Sequence, residues 1–188
     1  MAQLRMTKLI FATGSQTKLL DAQKAFQPLG IEVSGQKIEF DEKQSLDQAE
    51  IVRNKARQAY GAIRLPLFVD DTGFFIDSYS DFPGTLTKHI NKTLGLSGII
   101  KLFEEGQTAY FRTLICLIDD NSEIIAEGKL AGKLTKKIST KFNPETPLNS
   151  IFIPDGHNQP LIELVESAEI GNIHRINAIN DLVGKLSN

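Results

Sequence analysis

Phe68-Val69-Asp70-Asp71-Thr72-Gly73, followed by Pro83-Gly84, is the stretch on which the reading of this chain turns. The short apolar run Leu65 to Val69 predicts a buried strand that delivers two carboxylates to its C-terminal end. Successive side chains of a strand point to opposite faces, so only one of the two acids looks into a given pocket. Thr72-Gly73 predicts a turn that brings the backbone close beside that acid, with a second strand beyond it to about residue 77. A carboxylate in such a place suits a hard cation such as Mg²⁺, or activation of a water. The plainer reading of the same residues is a strand end with an Asp-rich turn.

Outward from this stretch, strands and helices alternate. Lys8 to Thr13 predicts a first strand, Gly14-Ser15 a turn, and Gln16 to Phe26 a helix with Leu19, Ala22 and Phe26 on one face. Pro28 and Gly30 end that helix, and Ile31 to Phe40 reads as a second extended segment. Ser45 with Gln48 has the spacing of a capping box and opens a helix to about Tyr60. A helical stretch follows near 85–104, interrupted by Gly95 and Gly98. Ala109 to Asp119 and Glu123 to Leu130 predict an antiparallel pair around Asp120-Asn121, and Gly132 to Ser139 a third, Lys-rich edge strand. Phe142 to Asn149 reads as a loop, Ile151 to Ile153 as a short strand and Arg175 to Leu186 as a terminal helix. Alternation early and clustered strands late predict an α/β fold with a mixed central sheet flanked by helices.

The 188 residues suffice for one good core, and a single domain over 1–188 is expected. A net charge of −2 and a pI near 5.9 supply no basic field for nucleic acid or an anionic membrane, so neither is expected as a partner. Any phosphate must be held by local Lys or Arg, by backbone amides, or through a metal. The single cysteine, Cys116, lies in the apolar run Thr113 to Ile118 and reads as a small buried hydrophobe. Met1 to Lys8 lacks the apolar core of a signal peptide and no run approaches a membrane span, which makes the cytoplasm the expected compartment.

Several positions suggest chemistry. Thr13, Gly14, Ser15 and Lys18 fall at a helix N-terminus, where free amides and the helix dipole favour phosphate; the alternative is an ordinary strand-to-helix turn with a solvated lysine. Glu42 could supply a second carboxylate to the same metal, or belong to a solvated acidic loop. Lys55 borders the apolar stripe of its helix, where it either reaches the sheet end or simply snorkels. His174-Arg175 could read a ligand by hydrogen bonding and stacking, or serve as a capping His and a surface Arg. Walker A, GxSxG, HExxH, CxxC and Rossmann GxGxxG patterns are absent, and three histidines (His89, His157, His174) make a His-rich metal cluster an unpromising expectation.

Taken in order and spacing, these residues resemble the inosine triphosphate pyrophosphatase family, which hydrolyses non-standard purine nucleoside triphosphates to monophosphate and pyrophosphate. Phe11-Ala12-Thr13-Gly14-Ser15-Gln16-Thr17-Lys18 is similar to its ATGNxxK opening, Glu42-Lys43-Gln44 to its ExQ metal segment and Asn54-Lys55-Ala56 to its NKA. Asp70 to Gly73 with Pro83-Gly84 resembles DDSG…PG, Gly128 and Gly132 its paired glycines, Phe152 to Gly156 its FxPDG, and His174-Arg175 the end of SHR. The departures lie mostly on the base side. Ser15 replaces Asn, Glu145 to Ser150 replaces GFGYDP so that Leu148 and Asn149 stand for the stacking aromatic and the Asp, Ile173 replaces Ser, and Glu169 stands where a Lys is expected.

The resemblance implies an elongated, two-lobed domain with a central cleft, a homodimer, and Mg²⁺-dependent hydrolysis of ITP-, dITP- or XTP-like substrates in nucleotide house-cleaning. It implies Glu42 and Asp71 as metal ligands, and Asp71, Lys18 and Lys55 as catalytic residues. Thr13, Gly14, Ser15, Lys18, Lys55, Thr72, Leu148, Asn149, His174 and Arg175 are then the substrate-binding residues. Because the stacking aromatic is missing, two alternatives stand beside it: a pyrophosphatase for another modified or a pyrimidine nucleotide, and a nucleotide-binding homologue without turnover.

Overall fold

The computed structural model describes residues 7–41, 43–80, 82–166 and 172–187. Glu42, Glu169 and most of the segment read for a leader lie outside these. The described chain forms β1 (Lys8–Phe11), α1 (Gln16–Phe26), β2 (Glu32–Gly35), α2 (Gln48–Ile63), β3 (Leu67–Ile76), β4 (Pro83–Gly84) and α3 (Thr87–Ile99). It continues through β5 (Thr108–Ile118), β6 (Glu123–Leu134), β7 (Phe152–Pro154), α4 (Leu161–Glu166) and α5 (Ile173–Ser187). The strands make one mixed sheet in the order β2-β1-β3-β5-β6-β7, with β4 paired to β3. β1 runs parallel to β2 and β3, while β4 and β7 are antiparallel to their neighbours. The α/β class and mixed sheet are as expected. Among the described residues no helix is long and apolar enough to cross a membrane.

The chain divides into two compact units, Met1–Asp71 with Thr113–Gly128 and Arg175–Asn188, and Thr72–Arg112 with Lys129–His174. The first has a core on each face of its sheet. On one face, Ala22 and Phe26 of α1 and Ala178, Ile179 and Leu182 of α5 bury Leu9, Phe11, Phe68, Ile115 and Leu117. The spacings within each helix are those that stack side chains on one stripe. The Phe11 and Phe68 rings stack at 4.3 Å across the β1–β3 register. On the other face, Val52, Ala56 and Ala59 of α2 bury Leu67, Val69, Leu114 and Cys116. Cys116 is fully enclosed, and burial pushes its thiol up to about 12. The second unit has its own core of Phe74, Ile76, Phe111, Leu134, Leu148, Ile151 and Phe152 with Ile99 and Phe103.

Four sequence expectations are corrected. β3 is one continuous strand from Leu67 to Ile76, so Thr72-Gly73 does not turn. Gly73 is needed for proximity instead: a Cβ there would sit 2.9 Å from the Gly84 oxygen of the paired strand β4. The helix cap is Asp47, not Ser45: its carboxylate accepts from the Ala49 amide at 2.8 Å, while the Ser45 hydroxyl donates to Glu50. Gly95 alone breaks α3, at φ 61°, and Gly98 stays helical. The Lys-rich edge strand does not exist as such: residues 132–134 finish β6, and 135–139 lie outside the strand after the pairing of Leu134 with Phe152.

At Gly132 β6 lies close against β7: an added Cβ would lie 2.3 Å from the Ile153 carbonyl oxygen and 2.7 Å from the Phe152 ring. Gly132→Ala is expected to cost about 1–3 kcal/mol, a melting point lower by roughly 3–10 °C, because backbone rather than a mobile side chain must give way. A melting curve coincident with that of the unaltered protein would show that the two strands part there without strain.

Candidate functional site

The site grows from the alternation of β3. Leu67 and Val69 belong to the α2-facing core and Phe68 to the core formed with α1 and α5, so Asp70 and Asp71 continue the same two rows onto opposite faces. Each carboxylate meets cations from the helices packed on its own side. Asp70 Oδ1 accepts from Lys18 Nζ of α1 at 2.8 Å, and Oδ2 from Arg175 Nε of α5 at 3.0 Å. Asp71 Oδ1 accepts from Lys55 Nζ of α2 at 2.6 Å, and Oδ2 from the Gln48 amide at 3.2 Å. The same amide donates to the Asp71 carbonyl at 3.0 Å. Gln48, Val52, Lys55 and Ala59 share one stripe of α2, which is how an apolar helix face carries two polar groups to Asp71 in the middle of β3.

The two acids are electrostatically unlike. The Asp70 side chain is 5% exposed; burial alone would raise its pKa, but the charges and hydrogen bonds of Lys18 and Arg175 outweigh that and hold it well below the usual carboxylate range. Arg175, 8% exposed, also reaches Asp21 of α1 through Nη1 at 3.5 Å. Asp71 and Lys55 are more open, at 15% and 16%. Lys18 is the most accessible of the cations, at 30%.

The loop ahead of α1 is built as a helix start. Ser15 is the N-cap in extended geometry, its Oγ accepting from the Lys18 amide at 3.5 Å, and Thr13 Oγ1 accepts from the Ser15 amide at 3.1 Å. Both hydroxyls thus serve the turn. Gly14 is exposed.

The structure therefore gathers Thr13, Gly14, Ser15, Lys18, Lys55, Asp71 and Arg175 in the first unit, with Thr72 next to Asp71 along β3. Leu148, Asn149 and His174 belong to the second unit. Leu148 is 3% exposed among Ile151, Phe152 and Leu161, so the expectation that it stands at a base-stacking position is corrected: its side chain is core and offers no open face. Asn149 is likewise buried, and His174 stacks on Phe111 at 5.4 Å. The surface-Arg alternative fails for Arg175, which is buried and whose guanidinium is engaged by two carboxylates. Three participants were missed by sequence reasoning: Asp70 as an ion-pair centre, Gln48 and Asp21. Gln48 was absorbed into a capping box, although its place on the Val52–Lys55 stripe pointed inward.

For a divalent cation, the described residues contain no group of three or more His, Cys, Asp or Glu side chains that would form an all-protein cage. Mg²⁺ does not require one, since it is commonly held by one or two carboxylates with water and substrate phosphate completing the shell. Asp71, a hard oxygen ligand that is partly exposed on β3, fits that demand.

A sequence profile of the Ham1 family matches residues 9–185. A dITP/XTP pyrophosphatase of Thermococcus kodakarensis is 29% identical over 184 residues, covering 95% of this chain and 97% of that protein. Another, from Saccharolobus solfataricus, is 32% identical over 179 residues, covering 93% and 91%. Among solved structures, a HAM1 protein from Coxiella burnetii superposes with a TM-score of 0.79 at 22% identity, covering 97% of this chain and 99% of that one, which shows a common fold. With the profile spanning nearly the whole chain, the protein belongs to the Ham1 family.

Proposed function

We propose that this protein hydrolyses non-standard purine nucleoside triphosphates of the dITP and XTP type to nucleoside monophosphate and pyrophosphate, as the names of its relatives describe for them. The observation that carries the reading is the pair of β3 carboxylates held by cations from three different helices, beside the exposed turn that starts α1. A site for triphosphate needs positive charge on fixed stems and a carboxylate that stays ionised, and this arrangement supplies both. The profile match over 9–185 supports treating the two compact units as one catalytic domain.

Asp71 is assigned the proton-accepting role toward water attacking the α-phosphorus. Lys55 and Gln48 fix its orientation, and the carboxylate remains partly exposed. Lys18, with the Gly14 and Ser15 backbone, faces the pyrophosphate that leaves, where negative charge builds as the anhydride bond breaks. Mg²⁺ would be held by Asp71, with Glu42 as its second carboxylate in the family resemblance, and supplies charge neutralisation of the phosphate oxygens when bound. The buried positions of Leu148 and Asn149 leave the choice of base to groups other than the Leu148 side chain. A cytoplasmic homodimer is the assembly and compartment that the resemblance supports.

The reading is tested by measuring pyrophosphate release with Mg²⁺ from dITP, XTP, ITP, ATP, GTP and the pyrimidine triphosphates. Turnover of the first three in preference to the standard nucleotides is expected, and chelation of the metal should remove it. Preference for a pyrimidine, or no release from any, would overturn it. Asp71→Asn is expected to lower kcat by about 10²-fold or more, since an amide neither accepts the proton nor binds the cation well. Near-normal release by a variant with an unchanged melting point would take Asp71 out of the reaction.

A further inference from the structure

Four charged side chains of the first unit form a chain of alternating sign, Lys18–Asp70–Arg175–Asp21. Lys18 and Asp21 lie three residues apart on one face of α1. Lys18 meets Asp70 at 2.8 Å, Asp70 meets Arg175 at 3.0 Å, and Arg175 meets Asp21 at 3.5 Å. Exposure is graded along it: Arg175 and Asp70 are 8% and 5% exposed, Asp21 20%, Lys18 30%. Such a chain has a buried middle, Asp70 and Arg175, and more open ends. Asp70 is held from behind by a bidentate-capable guanidinium that cannot leave without stranding buried charge, so its free oxygen is a fixed point against which a lysine can be set.

We propose that Asp70 is a positioning residue: with Arg175 and Asp21 behind it, it holds the Lys18 ammonium at the phosphate-facing position. A lysine head on four rotatable bonds has three donors and no preferred direction of its own. One N–H spent on Asp70 fixes the head and leaves the others to a phosphate. Asp70 thus acts through Lys18 and does not touch substrate, which separates the two neighbouring acids of β3: Asp71 performs the chemistry and Asp70 supports it. It also gives Arg175 a task on the phosphate side. The inference rests on the proposed role of Lys18 toward phosphate.

Simple Coulomb attraction predicts the opposite result, because removing a carboxylate beside an anion site should strengthen anion binding. The sign of the effect therefore decides. The experiment is calorimetric titration of the full chain with inorganic pyrophosphate, for Asp70→Asn, Lys18→Met and the double variant, with dITP turnover measured alongside. Asp70→Asn is expected to weaken pyrophosphate binding by about 10-fold, as loss of a charge-assisted contact would, and to raise KM for dITP more than it lowers kcat. The double variant should bind no worse than Lys18→Met alone, since one residue works through the other. Tighter binding by Asp70→Asn, or losses that multiply in the double variant, would overturn the proposal. If Asp70→Asn does not fold, Arg175→Lys, which cannot bridge both acids, should weaken pyrophosphate binding by about 3-fold in the same direction; unchanged or tighter binding would overturn it. Pyrophosphate binding that follows this pattern in a protein that hydrolyses no triphosphate would sink the hydrolase reading while leaving Asp70 in its role.

Discussion

The period of two along β3 is the constraint from which the rest of the site follows. Two adjacent acids within one strand cannot face the same way, so Asp70 and Asp71 lie on opposite faces of the sheet rather than competing for one ion. Two carboxylates sharing one pocket would push a proton onto one of them. Here each has its own partners, and those of Asp70 hold it ionised. The pairing of acid with helix is equally constrained. α1 and α5 cover the face of Phe68 and Asp70, α2 that of Val69 and Asp71, and each helix brings its lysine or arginine on the edge of the stripe that buries its apolar residues.

Rigidity and openness are divided between the two acids. Asp70 sits where desolvation is severe and is compensated by two full positive charges, an arrangement that tolerates no loss of a partner. Asp71 is bound by one lysine and a neutral amide at a more open position. A group that must take up a proton and release it has to remain within reach of solvent, and a group that only holds another in place does not. The apolar rows beneath both acids, including the stacked Phe11 and Phe68 rings, fix the strand from which they project.

Much of this was legible in the sequence because it depended on local pattern. The KLIF strand, the helix from Gln16 to Phe26 and the apolar stripe of α2 rest on periodicity, and they appear where periodicity put them. The failures have a different source. Thr72-Gly73 looks like a turn locally, but the need for glycine arises from Gly84, a residue on another strand. Ser45 and Gln48 have capping spacing, yet Gln48 is claimed by Asp71, twenty-three residues away in sequence. Leu148 was placed by matching a motif, and motif position carries no information on burial. The Asp70–Arg175 pair spans a separation of 105 residues and has no local signature at all.

Cys116 gives the β5 strand a use beyond packing. Its sulfur lies in the α2-facing core with no exposed surface, and a thiol pushed up to about 12 has almost no thiolate at neutral pH. Alkylating reagents and disulfides react with the thiolate and need access to it. The folded protein is therefore silent toward them, and the chain has no second cysteine to confuse the signal. Opening of the central strands converts that silence into reactivity, so the rate of thiol labelling is a clock for unfolding written into the native sequence.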